Sequence, residues 1–332
     1  MNKKHLIFLL VVVLAALLPL FITNTYLVSI MVLTVIYCAL SSAWNILSGF
    51  AGQFGFSGVF FALGAYICGG LFYTFNIIPW LGMLIAGVVV SIIAVAMGAL
   101  TFPLQKIYFT IATSALLQIL YLIFAQNNVI FGVNFRGNMG LHLRWIGGFW
   151  NMQFINNRGY YYIALIILIV ILLFTSHLVN SRAGFYFKAV NTNQMAASSL
   201  GVNVLKYKHF AQILTAFMMS IIGGVYMMFI TSIEPTSMFS FEIVFNIMLF
   251  ALIGGRATIF GPTVGTVILM PLYAILRFWF SSSLPGLPTA MFGLALVLTT
   301  QFMPQGLLPL IAEKVRARKI RAMHTAGAPK VK

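Results

Sequence analysis

Apolar residues run along this chain in long blocks, interrupted by short polar breaks and without the alternating polarity of a barrel strand. The blocks fall at 6–22, 26–47, 57–75, 80–102, 107–125, 160–178, 209–231, 241–254, 262–280 and 287–303. Most are long enough to cross about 30 Å of hydrocarbon as a helix, and 241–254 is the short one. A backbone in lipid must satisfy its own polar groups, which leaves helices or closed barrels, and the length of these runs selects helices. The predicted fold class is therefore all-α: a polytopic transmembrane helix bundle of about ten spans.

Composition agrees. Of 332 residues, 61% are hydrophobic and 7% charged, where a soluble domain carries roughly a quarter charged residues. Glu234, Glu242 and Glu313 are the only acids, and the net charge is +16. The basic residues sit in loops and tails rather than on one face, which argues against a nucleic-acid partner. With the N-terminus inside and ten spans, fifteen of the nineteen Lys and Arg residues lie on the cytosolic side. Arg136, Arg144, Arg158 and Arg277 remain outside, a bias that supports this orientation, with both termini cytosolic. The block at 6–22 follows a short basic start but lacks a clear cleavage site, so it reads as a retained first helix. The organisation expected is a membrane body over 1–312, with an outer loop at 126–159 and an inner loop at 179–208. A basic tail over 313–332 sets topology and meets anionic lipid.

The inner loop carries the most unusual stretch, SRAGFYFKAVNTNQMAASSLGVNV at 181–204. A polar, partly basic cassette inside an apolar chain implies contact with something soluble. Within it, Asn191 to Leu200 reads as a short surface helix, with an asparagine or threonine to cap it and Gly201 to close it.

Two segments are dense in glycine: LSGFAGQFGFSGVFFALGAYICGG from Leu47 and LIGGRATIFGPTVG from Leu252. Gly49, Gly52 and Gly55 fall in the first, and Gly254, Gly255, Gly261 and Pro262 in the second. One segment lies in each half, as when two halves meet at a solute path. Close helix packing through small residues explains the glycines equally well. Asn45, Gln53 and Ser57 add hydrogen-bonding groups that suit a path for a polar or zwitterionic solute.

Ion-coupled carriers need ionisable groups in mid-membrane, and the spans here show no paired constellation of them. The histidines lack metal-ligand spacing, so no metal site is expected, and Cys38 and Cys68 stand alone. No phosphate-cradling loop or hydrolase motif occurs. The chain is thus read as a non-enzyme without a cofactor of its own, and uphill transport would draw its energy from a partner.

The string Val179–Asn203, with Ser181, Gly184, Ala189, Val190, Ala196, Ala197, Leu200 and Gly201, resembles the coupling loop of permease subunits in ATP-binding-cassette importers for branched-chain amino acids. LSGFAGQFGFSGVFFALGAY is similar to that family's Gly-Gln segment. LIGGRATIFGPTVGT and MFGLALVLTTQFMPQGL are similar to its later signatures, and FRGNMGL resembles its outer glycine-rich loop. The long outer loop and the Pro304–Leu307 ending look more like the M-type subunit. The family usually places an acid where Gln194 stands, charges near Asn191, Thr192 and Ser198, and often a base at Phe185. The resemblance implies a sister permease in a heterodimer, two cytosolic ATPase subunits that use ATP, an extracytoplasmic solute-binding protein and a bacterial inner-membrane location. It also implies that Asn191, Asn193, Gln194, Ala196, Ala197, Leu200 and Gly201 couple the chain to the ATPases. Urea or short amides as cargo, a passive facilitator and an integral membrane enzyme are the competing readings.

Overall fold

The computed structural model describes residues 3–22, 24–104, 106–280, 286–302 and 306–308. The basic tail over 313–332 lies outside them. Every predicted span is helical. In chain order come α1 (Lys3–Phe21), α2 (Thr25–Asn45), α3 (Val59–Phe75), α4 (Pro79–Thr101) and α5 (Lys106–Gln126). After the outer loop come α6 (Arg158–Asn180), α7 (Arg182–Thr192), α8 (Gln194–Ser199) and α9 (Val204–Ile230). A single turn, α10 (Pro235–Met238), leads to α11 (Phe241–Gly255), α12 (Gly261–Phe280) and α13 (Leu287–Phe302). Among the described residues, seven helices are long and apolar enough to cross a membrane.

The outer loop is less irregular than its composition suggests. Strands β1 (Val129–Ile130) and β2 (Val133–Asn134) pair antiparallel, and β3 (Leu141–His142) pairs with β4 (Ser232–Ile233) just after α9. Beneath them Tyr66, Phe124, Phe135 and Phe239 interlock with ring centroids 5.0–6.3 Å apart, tying α3 and α5 to the loop. Such pairs contribute about 0.5–1.5 kcal/mol each beyond their buried area.

α2 is the most enclosed of the long helices, while α5 and α12 are the most open. The enclosure comes from small residues that let backbones approach. On α2, Ser41 Oγ lies 2.9 Å from Thr266 Oγ1 of α12, and Thr215 Oγ1 of α9 donates to Ala43 O at 3.2 Å. Between α3 and α9, a Cβ on Gly64 would land on the Ser220 backbone, and one on Gly223 on the Phe61 carbonyl. At the far end of the bundle from α7, α1 is fastened to α6 by Tyr161 Oη donating to Ala15 O at 2.8 Å and Arg158 Nη2 to Ile22 O at 3.1 Å.

The α3–α9 seam yields a prediction. Gly223→Ala forces the two backbones apart and lowers the thermal unfolding midpoint of the purified chain, at a cost of about 1–3 kcal/mol. Gly293→Ala, on an exposed position with nothing within 4 Å of the new Cβ, leaves the midpoint unchanged or slightly raised.

Candidate functional site: a cassette clasped to two glycine-rich breaks

The inner loop is ordered by local chemistry. Where α6 ends, Ser181 Oγ donates to Leu178 O at 2.7 Å, and the chain turns so tightly that a Cβ on Gly184 would strike the Leu178 and Val179 backbones. α7 then lies on the start of α9 through buried Phe187, whose ring stands 6.3 Å from Tyr207 and 6.0 Å from Phe210, with the Tyr186 and Tyr207 rings 4.6 Å apart.

The surface helix is shorter than the sequence suggested. Asn191 and Thr192 form the last turn of α7, and the break comes at Asn193, whose backbone is extended at φ −155°. Its side-chain oxygen accepts from Met195 N at 3.0 Å and Ala196 N at 3.1 Å, so Asn193 is the cap and the helix runs Gln194–Ser199. Gly201 closes it at φ +83°, as anticipated, while Val202 N donates to Ala197 O at 3.0 Å. Asn193, Ala196, Leu200 and Gly201 are exposed, Asn191 and Gln194 half-buried, and Ala197 buried.

Asn191 is not the cap because its amide is engaged elsewhere. Its Nδ2 donates to Gly49 O at 2.9 Å, across 142 residues of sequence. Gly49 belongs to a π-helical turn, Ile46–Phe50, that continues α2 past its predicted end. The wider turn lets Gln53 N donate to Leu47 O at 3.0 Å and Ser48 Oγ to Gln53 O at 2.9 Å. Gly52, at φ +74°, passes so close to Asn191 that any side chain there would collide with its amide. Below this, Trp44 Nε1 donates to Gly55 O at 3.2 Å, and Thr110 Oγ1 of α5 donates to Phe54 O at 2.7 Å.

The second glycine-rich segment joins the same point through Asn45. Its Oδ1 accepts from Ala257 N at 2.9 Å and its Nδ2 donates to Thr258 O at 2.8 Å. Gly254 and Gly255 are the last turn of α11, and Gly261 and Pro262 the first of α12. A Cβ on Gly254 would land on the Gly261 backbone, so the two helices meet in backbone contact. Asn45, Gly49, Gln53, Gly55, Ser57, Gly254, Gly255, Gly261 and Pro262 are all buried, and Gly52 is half-buried. The structure thus brings Gly49, Gly52 and the α11–α12 corner, together with the cassette, to the amides of Asn45 and Asn191, while Gly55 packs against Phe109 and Thr113 of α5. Within this chain the glycines serve close approach.

The cassette's outward surface is apolar and basic. Phe185, Met195 and Leu200 are 71%, 80% and 85% exposed, and Arg182, Lys188 and Lys206 are exposed around them. Burial holds the nearby Arg256 guanidinium below its ordinary pKa. No group of His, Cys, Asp or Glu among the described residues could hold a metal ion.

Sequence reasoning missed one pairing. Glu242, in the first turn of α11, accepts a hydrogen bond from the Tyr273 hydroxyl of α12. No local spacing signals it, because the two residues stand 31 positions apart on different helices.

Loss of the Asn45 amide removes two hydrogen bonds to backbone groups at a part-buried corner, each contributing about 0.5–1.5 kcal/mol. Asn45→Ala therefore lowers the thermal midpoint. Asn45→Asp lowers it further, because a carboxylate then faces the Thr258 carbonyl.

No curated protein and no solved structure matches the chain. A family model does, over residues 26–300, which include the cassette, both glycine-rich breaks and every helix from α3 to α12. The chain belongs to the family described as branched-chain amino acid transport system / permease component.

Proposed function

We propose that this chain is the M-type permease subunit of an ATP-binding-cassette importer for branched-chain or other hydrophobic amino acids. It crosses the bacterial inner membrane ten times with both termini in the cytosol. It pairs with a sister permease, two cytosolic ATPase subunits that consume the ATP, and an extracytoplasmic solute-binding protein. The observation that carries this reading is the Asn191–Gly49 hydrogen bond. It fastens a cassette with exposed apolar side chains to the break at the end of the most enclosed helix, the connection a motor would need to move the spans.

In this mechanism the binding protein docks on the outer face and releases solute to a path at the permease interface. α5 suits that interface, because it is among the most open of the long helices and presents Ile107, Tyr108, Ile111, Ile119 and Leu122 outward. ATPase closure pushes α8, Asn191 carries the push to the 46–58 segment, and Asn45 passes it to the α11–α12 corner. The clasped glycine seams act as hinges between two packed arrangements, whose populations nucleotide biases. Asn193, Gln194, Ala196, Ala197, Leu200 and Gly201 shape the contact with the ATPase. Gly49, Gly52, Gln53, Gly55, Ser57, Gly254, Gly255, Gly261 and Pro262 form the moving wall. Without acids in the cassette the contact is apolar, so Gln194 contributes a neutral hydrogen bond where the family usually has charge. A facilitator would leave this exposed cassette without a task.

Leu200→Asp and Met195→Asp place a charge in that contact without touching the bundle. In liposomes holding the complete assembly, each cuts ATP-dependent amino-acid uptake at least about tenfold, the loss expected when an apolar anchor is desolvated as a charge. Thermal stability of the isolated chain is unchanged. Normal uptake by both variants contradicts the assignment of this surface.

A further inference from the structure

The later part of the outer loop, 144–156, folds into a small lobe around one buried side chain. Gln153 Oε1 accepts from Ile146 N at 2.7 Å and Gly147 N at 2.9 Å, and its Nε2 donates to Arg144 O at 3.0 Å. Its backbone pairs with that of Gly148 in both directions, at 3.1 and 3.2 Å. A buried amide satisfied in this way holds the loop in one shape. What the lobe turns outward is apolar: Trp145, Ile146, Phe149, Trp150 and Ile155 are all exposed, Ile155 at 96%. A cleft of about 480 Å³ is lined by Trp145, Phe149, Phe154 and Ile155 among others.

The lobe is seated at the level where the spans begin. Trp80, the second residue of α4, donates from Nε1 to Phe149 O at 3.2 Å, and the two rings stand 5.5 Å apart. On the other side the Phe154 ring lies 5.2 Å from Tyr160 at the start of α6, and Tyr160 lies 5.5 Å from Phe229 at the end of α9. From Trp80 the face of α4 continues through Leu84, Val88 and Ile92, all exposed and spaced every four residues. The apolar surface of the lobe thus prolongs the outward stripe of a long apolar helix. Arg144 is exposed beside Trp145, and the loop contains no acid. Aromatic rings with a base and no acid, at the end of a span, are the composition that settles at a bilayer interface.

We propose that this lobe is an interfacial lipid anchor. Trp145, Phe149, Trp150 and Ile155 enter the boundary between headgroups and acyl chains of the adjoining leaflet, and the cleft receives part of a phospholipid acyl chain. The anchor fixes the ends of α4, α6 and α9 relative to the bilayer surface. The inference goes beyond the importer reading and requires only that α4 spans the membrane.

The test uses the full chain in nanodiscs of phosphatidylcholine and phosphatidylglycerol. Cys38 and Cys68 are buried, so a nitroxide reagent labels Trp150→Cys, Ile155→Cys, Ile92→Cys and Ser198→Cys at the introduced thiol. Variants that keep the wild-type thermal midpoint are compared for collision with molecular oxygen, which concentrates in hydrocarbon, and with a nickel chelate, which stays in water. The oxygen-to-nickel ratio at 150 and 155 is at least about fivefold above that at 198 and close to that at 92. A ratio at either lobe position no higher than at 198 overturns the anchor and leaves this surface to a protein partner. The cleft is read separately by tryptophan fluorescence with lipids brominated on the acyl chain near the headgroup. Trp145→Phe, which keeps an apolar ring, lowers the bromine-quenched emission. Quenched emission that is the same in this variant contradicts an acyl chain in the cleft.

Discussion

The amide of Asn45 is the constraint on which the arrangement of this bundle depends. It stands at the last residue of the most enclosed helix and holds Ala257 and Thr258 from the other half of the chain with both ends of one side chain. In a bundle this apolar, association has little hydrophobic drive once inserted, and close packing and a few hydrogen bonds decide which helices meet. Gly49, one turn on, must lack a Cβ for the Asn45 amide to fit, and its carbonyl then receives Asn191. Two asparagines and one glycine thereby connect the cassette, the end of α2 and the α11–α12 corner.

In the proposed mechanism, this clasp is the part through which a chain so poor in charge would transmit force. A lever needs a rigid arm, a joint and a load. α7 and α8 form the arm, stiffened by the Asn193 cap and the Tyr186–Tyr207 contact. The π-helical turn and the glycine seams form the joint, since small residues allow two helices to shift without opening voids. The load is the set of spans that α2 contacts.

Much of this was legible in the sequence because membrane burial writes itself as long apolar runs, and all ten predicted blocks are helical. Gly201 was legible as a helix stop for the same local reason: glycine tolerates the left-handed conformation. The start of the surface helix was not. Asn191 and Asn193 are equivalent as caps locally, and only the tertiary bond to Gly49 decides between them. The glycine segments were legible as breaks, yet path lining and close packing predict the same residues, and coordinates were required to show backbone contact. The Glu242–Tyr273 bond stayed hidden because its partners lie 31 positions apart, on different helices.

The most direct test of the clasp is pulsed electron-paramagnetic resonance on the reconstituted assembly. One pair of spin labels is placed at Ser198 and Phe260, and a second pair at Ser198 and Ile155 of the outer loop. The account predicts that the 198–260 distance is the same with and without nucleotide, while the 198–155 distance changes. A 198–260 distance that shifts on nucleotide binding while 198–155 stays fixed would contradict it, because the cassette would then move independently of the breaks it is held to.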